Sequence, residues 1–207
     1  FAALADRLIE EARVEIVLTG EPDEGLIIHE ILKTMRQRAY SGVGQTTIRQ
    51  LAALLQRASL VITNDSAALH LACAVRVPVL VIFGPTDPRK YGPTGPRDRV
   101  LQRRLFCVPC EQSLCRFRHE CMRFISVDEV YGAAKQMLEE GARGKPAPAS
   151  APGGPGGQGA RERRRRLDSP PIPRPLSHPG VLKRILVIRL DRIGDVVLST
   201  PVLTVLR

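Results

Sequence analysis

Two apolar runs on either side of a small-residue segment, between Leu60 and Phe83, constrain the fold of this chain more than any other feature. Val77–Phe83 reads VPVLVIF, without one polar residue. Such a run has no face to offer to water. As a strand it must be covered on both sides, which is the condition of a parallel sheet held between helices. Leu60–Thr63 reads as a second strand, and Asn64, Asp65 and Ser66 after it are turn and cap residues. Ala67–Val75 then reads as a helix of small residues. Strand, helix and strand in this order make a crossover unit of an α/β layer fold. The chain has no tryptophan and only 4% aromatic residues, so its core must be aliphatic. No uncharged apolar run approaches the ~18 residues of a membrane span, so no stretch qualifies as a spanning helix.

The alternation continues upstream. Ala2–Ala12 is helical in pattern and Glu15–Thr19 (EIVLT) reads as a strand. A turn at Gly20–Asp23 leads into Glu24–Arg38, where Leu26, Ile27, Ile31, Leu32 and Met35 recur at helical spacing. Thr47–Ala58 repeats the pattern with Ile48, Leu51, Leu54 and Leu55 on one face, and Thr46 or Thr47 is the expected cap. Val127–Glu140 forms a last helix before the composition changes.

The net charge of +10 is unevenly spread. Residues 1–140 carry 18 basic and 17 acidic side chains, whereas residues 141–180 carry 8 and 2. That second stretch contains KPAPASAPGGPGGQG, RERRRR and DSPPIPRPLSHPG. It holds too little apolar surface to offset the entropy of ordering, so it is expected to be a disordered linker. The basic run Arg161–Arg166 then reads as a solvated tether, and the nearly neutral part before it gives no footprint for specific nucleic-acid binding. Beyond the linker, residues 181–207 begin a new unit: Ile185–Leu190 as a strand, Asp191–Gly194 as a turn, and a helical pattern from Asp195.

The chemistry concentrates at Asp65–His70 and Phe83–Pro88. In a parallel sheet, ligands bind beyond the carboxyl ends of the strands. Asp65 and Ser66 stand at such an end, where the first amides of a helix and its dipole suit a diphosphate. Ala67 and Ala68 are small enough for a phosphate to approach the backbone, and His70 lies one turn further on. From the residues alone, Asp65 also fits a plain helix cap and His70 a partly buried helix histidine. The ordered series Asp65-Ser66-Ala67-Ala68-Leu69-His70, then Phe83-Gly84-Pro85-Thr86-Asp87-Pro88, resembles the carboxy-terminal half of the family 9 glycosyltransferases, the heptosyltransferases of lipopolysaccharide core assembly. Ala67 stands where that family usually has glycine.

The resemblance covers about residues 1–140 and implies the donor-binding, Rossmann-like half of a GT-B fold. It implies a nucleotide diphosphate sugar, ADP-heptose in the family, as donor and a lipid-linked saccharide as acceptor. No cofactor is required. Glu24, with Glu21 as the alternative, takes the place of the acidic residue that holds the donor ribose, and Thr46 borders the donor site. Glu24 equally fits a carboxylate at a helix start. The segment after the linker resembles the opening of the same family, with Gly194-Asp195-Val196 followed by Thr200-Pro201. By that resemblance Asp195 is the general base for the acceptor hydroxyl. The order implies the end of one copy, a linker and an isolated βα start of a second, as in a tandem truncated on both sides and without activity by itself. Such enzymes work in the cytoplasm at the inner face of the inner membrane, and the basic linker suits contact with its anionic surface.

Cys107, Cys110, Cys115 and Cys121 lie within fifteen residues, which raises a tetrahedral zinc site, with reduced thiols in an ordered loop as the competing state. Arg103, Arg104, Arg116, Arg118 and His119 around them make an anion-facing edge. Two rival readings are another GT-B enzyme such as an epimerase, and a zinc-dependent module binding nucleic acid through the cysteines and the basic linker.

Overall fold

The computed structural model describes residues 1–112, 114–143 and 184–189. Six parallel strands form one sheet in the order β2-β1-β6-β3-β4-β5. They are β1 (Val14–Thr19), β2 (Tyr40–Ser41), β3 (Leu60–Asn64), β4 (Val79–Phe83), β5 (Arg99–Gln102) and β6 (Arg184–Arg189). Side chains alternate along each strand and sort into two cores. Ile16, Leu18, Leu60, Ile62, Leu80, Ile82, Leu186 and Ile188 face one layer, while Val61, Val79, Val81, Phe83 and Val187 face the other.

The first layer comprises α1 (Ala2–Ala12), α2 (Gly25–Thr34) and α7 (Val127–Arg143), which bring Leu4, Leu8, Ile28, Tyr131 and Leu138 to the sheet. The second comprises α3 (Ile48–Arg57) and α4 (Ala67–Ala74), with Leu51, Leu55, Leu69 and Ala72. Coverage on both faces is what the unbroken apolar run of β4 demanded. α1 and α7 are also joined at their polar edges. Tyr131 donates its hydroxyl to Glu11 at 2.7 Å, and the Arg7 guanidinium lies 3.9 Å from the centre of the Tyr131 ring.

The local starts and stops are chemical. Thr47 caps α3 in a reciprocal box with Gln50, so the second of the two expected threonines is the cap. Asp6, buried in α1, accepts the backbone N–H groups of Arg36 and Gln37 at 3.0 and 2.8 Å and so fixes the chain just beyond α2. The helix expected over Glu24–Arg38 is therefore shorter at both ends. Gly92 follows the one-turn helix α5 (Pro88–Tyr91); a Cβ there would lie 2.3 Å from the Pro88 carbonyl oxygen, so only glycine fits.

The α/β reading holds, but one element is placed differently. The strand beyond the linker was expected to stand apart as the start of a second unit. Instead β6 lies in the middle of the sheet, in register with β1 from Val14↔Arg184 to Thr19↔Arg189 and with β3 from Leu60↔Leu186 to Thr63↔Arg189. The physical reason is its two-sided apolarity: Leu186, Val187 and Ile188 are each fully buried. A lone strand leaves those side chains and both edges of its backbone in water. α7 runs on to Arg143, so the first residues assigned to the linker are helical. The rest of that segment, the basic run Arg161–Arg166 and Asp195 lie outside the described residues. No helix among the described residues is long and apolar enough to cross a membrane.

Placing β6 in the core gives a direct test. Leu186→Ala should lower the free energy of unfolding by about 2–5 kcal/mol, the usual cost of truncating a buried leucine. Urea denaturation followed by circular dichroism measures it. A midpoint that does not move would mean that the strand is not part of the sheet.

Candidate functional site

The carboxyl ends of β3 and β4 open into a cavity of 720 Å³, lined among others by Asn64, Asp65, Gly84, Thr86, Cys107 and Met122. Its near wall is the strand edge. Its far wall is the segment from Leu105 to Met122, which includes α6 (Glu120–Arg123). The cavity thus stands where open α/β sheets bind ligands.

Asp65 is the centre of the near wall. It is half-buried, and its Oδ2 accepts a hydrogen bond from Thr86 Oγ1 at 2.6 Å. The Gly84–Thr86 turn that presents Thr86 is held from below by Gln102 on β5, whose Nε2 donates to the carbonyls of Gly84 at 3.0 Å and Thr86 at 2.8 Å. Asp87 then caps α5 by accepting the Arg89 backbone N–H at 2.9 Å. The Arg89 side chain on the same carboxylate holds the Asp87 pKa below the ordinary carboxylate range. Thr86 and Asp87 are both buried, so the sequence Gly-Pro-Thr-Asp-Pro is a structural clasp for Asp65.

Ser66 precedes α4, yet its side chain makes no cap hydrogen bond. Its hydroxyl pairs with Thr63 Oγ1 at 3.2 Å inside the protein instead. The opening of α4 is thus left without a side-chain cap, and the dipole of the helix there is uncompensated by any acidic residue in its first turn. Ala67 is exposed at this opening, whereas Ala68 is buried.

Of the expected donor residues only Asp65 lines this cavity; Ser66, Ala67, Ala68, His70, Glu24 and Thr46 do not. His70 is exposed on α4. Glu24 is buried, and its Oε2 accepts the Glu21 backbone N–H at 2.7 Å as half of a reciprocal capping box around Pro22–Glu24. The same oxygen packs against Gly20, where a Cβ would approach to 2.8 Å. Glu24 and Thr46 follow β1 and β2, on the far side of β6 from Asp65. Thr86 was visible only as part of a motif, and Gln102 was not singled out. A glutamine in the short run RVLQ carries no signal until β5 is seen to pair with β4, with Phe83 opposite Gln102.

The cysteines come together on the far wall: Cys107, Cys110, Cys115 and Cys121 all line the cavity as free thiols. Among the described residues, no group of three or more His, Cys, Asp or Glu side chains is arranged to hold a metal ion. The loop is ordered by its own hydrogen bonds. The backbone N–H groups of Cys110 and Glu111 donate to the Pro85 carbonyl at 2.9 and 3.0 Å. Cys115 Sγ accepts the N–H groups of Phe117 and His119 at 3.3 and 3.2 Å. These bonds hold Arg118 and His119 in left-handed conformations, with φ of 52° and 58°. Burial pushes the Cys121 thiol up, and the thiols of Cys115, Cys110 and Cys107 add to the shift. Cys73, on α4, is pushed up to about 11 by burial.

A parallel α/β sheet covered by helices on both faces, with a cavity beyond β3 and β4, defines a fold of Rossmann-like type. Residues 1–120 match the sequence profile of glycosyltransferase family 9 (heptosyltransferase). The chain belongs to that family. It is 30% identical over 146 residues to lipooligosaccharide heptosyltransferase 2 of Campylobacter jejuni, which covers 67% of this chain and 45% of that protein. It is 36% identical over 151 residues to lipopolysaccharide heptosyltransferase 3 of Escherichia coli, covering 69% of this chain and 42% of that one. Among solved structures, a family 9 glycosyl transferase from Veillonella parvula superposes with a TM-score of 0.62 at 26% identity, over 68% of this chain and 40% of its own. The chain therefore spans less than half the length of these relatives.

The thiol of Cys73 supplies a test of how α4 packs. At pH 8, a thiol with a pKa near 11 holds about two orders of magnitude less thiolate than an ordinary cysteine. Alkylation by iodoacetamide, mapped by mass spectrometry, should therefore reach Cys73 last, with its rate still rising above pH 10. Labelling of Cys73 at the rate of a free cysteine would show that α4 does not pack as described.

Proposed function

We propose that this chain is the donor-binding part of a glycosyltransferase that transfers heptose, or a related sugar, from a nucleotide diphosphate sugar to a lipopolysaccharide-type acceptor. The names of its relatives supply the reaction class, and the cavity supplies the means of holding the donor. The observation that carries the reading is the pairing of Asp65 with Thr86 beside the uncapped start of α4.

In this reading the diphosphate lies at the α4 amides of Ala67 and Ala68. With Oδ2 of Asp65 held by Thr86, the remaining carboxylate oxygen is turned to a donor hydroxyl. ADP-heptose is the proposed donor. The acceptor hydroxyl attacks the anomeric carbon, the bond to the diphosphate oxygen breaks, and the nucleoside diphosphate leaves with that electron pair. The base that takes the hydroxyl proton is the counterpart of Asp195, which by resemblance opens a second copy and so belongs to a different active site; this chain is proposed as a fragment without activity by itself. The helix opening stabilises the negative charge that grows on the leaving group. Direct displacement of this kind requires no cofactor. The acceptor's lipid places the reaction at the inner face of the inner membrane, with the protein attached peripherally. His70, Glu24 and Thr46 stay proposed as outer donor contacts, with Glu24 for the donor ribose.

Calorimetric titration of the full chain with ADP tests the reading without requiring turnover. Asp65→Ala should weaken binding at least tenfold. Thr86→Val, which keeps the shape but removes the hydroxyl donor, should weaken it about three- to tenfold, the worth of one hydrogen bond. Affinities unchanged in both variants, with native circular dichroism, would remove the cavity from the donor site.

A further inference from the structure

The far wall of the cavity has a second face, turned outward, which the donor reading does not use. Four large apolar side chains are exposed within this one stretch: Phe106 at 85%, Leu114 at 86%, Phe117 and Phe124. Phe106 and Phe117 stack edge to face with ring centres 5.0 Å apart, so the tip is a preformed aromatic pair. Leu114, Phe117 and Arg116 line the mouth of the same cavity.

The same segment carries an excess of basic side chains. Arg104, Arg116, Arg118 and Arg123 are exposed, and none is in an ion pair among the described residues. Of the nearby carboxylates, Glu111 is engaged by Lys90 at 2.7 Å and Glu129 by Arg103, while Glu120 lines the cavity without an ion pair among the described residues. Bonds to the Pro85 carbonyl and to Cys115 Sγ anchor the backbone of Cys110, Glu111, Phe117 and His119 in this stretch. Exposed apolar side chains and unpaired arginines in one segment match an anionic bilayer, where rings enter the headgroup boundary and guanidinium groups stay among the phosphates.

We infer that the edge formed by residues 104–124 docks this protein on a membrane surface of anionic phospholipid, with Phe106 and Leu114 inserted and Arg104, Arg116, Arg118 and Arg123 on the headgroups. Docked in this way, the mouth of the cavity faces the lipid–water boundary. The inference concerns attachment and stands apart from the donor assignment, since lipid binding is read without nucleotide.

The test is co-sedimentation of the full chain with phosphatidylcholine vesicles, with and without phosphatidylglycerol. Partitioning should be at least tenfold stronger on the anionic vesicles. Phe106→Ser/Leu114→Ser, which leaves the charge unchanged, should weaken it at least tenfold. Arg116→Gln/Arg118→Gln should weaken it about fivefold for each arginine removed. The basic run at Arg161 and Arg163–Arg166 attracts the same lipids, so each comparison is repeated in a background with those arginines changed to serine. The loss caused by the Phe106/Leu114 pair should persist there. If the pair has no effect in either background while circular dichroism stays native, the inference fails. It fails equally if light scattering shows the patch to be buried in a dimer that the same substitutions dissociate, with lipid binding unchanged.

Discussion

The pairing of β6 between β1 and β3 is the interaction on which the rest of this structure depends. β1 and β3 do not pair with each other; each pairs with β6 along its length. The two wings of the sheet, β2-β1 on one side and β3-β4-β5 on the other, are one sheet only through this strand. Leu186 and Ile188 complete one core and Val187 the other, so both helical layers also close over it. This position is the point where the order of strands reverses, and in open α/β sheets the crevice beyond such a point is where ligands bind. A strand separated from α7 by 40 residues of sequence thus joins the two wings of a sheet whose cavity is lined by residues before position 125.

The site shows how a buried polar group is made available for chemistry. Asp65 is neither a free surface carboxylate nor a cap. One oxygen is fixed by Thr86, whose turn is fixed by Gln102, whose strand is fixed by β4. Each link leaves the next with fewer conformations, so a ligand that meets Asp65 does not bear the cost of ordering it. Ser66 acts in the opposite sense. By turning its hydroxyl inward to Thr63 it leaves the start of α4 without a side-chain cap. The hydrogen bond between Asp65 and Thr86 joins the Asp-Ser and Gly-Pro-Thr-Asp-Pro motifs into one structural unit.

The long elements were legible in the sequence because burial on both faces leaves an unmistakable record. β3, β4, α3, α4 and α7 followed from apolar runs and helical periodicity, within a few residues at their ends. β2 has two residues and β5 is only partly buried, so neither writes a pattern. The partner of β6 was beyond reach for a different reason. ILVIR announces a strand buried on both sides, but nothing in those residues says which sheet buries it. Site residues divide in the same way. Asp65 was visible from its place at a strand end. The role of Gln102 exists only across a strand pair, and the burial of Glu24 in a capping box with Glu21 needed the geometry of Gly20 and Pro22. Cysteine spacing placed four thiols in one loop but could not fix the distances among them.

The central claim is that a nucleoside diphosphate lies beyond β3 and β4, on the opening of α4. Backbone amide resonances of the isotopically labelled chain, followed during titration with ADP, test it most directly. The account predicts saturable shifts centred on Ser66, Ala67 and Ala68, with a second group at Gly84 and Thr86. Shifts that saturate elsewhere and leave those amides unmoved would contradict it.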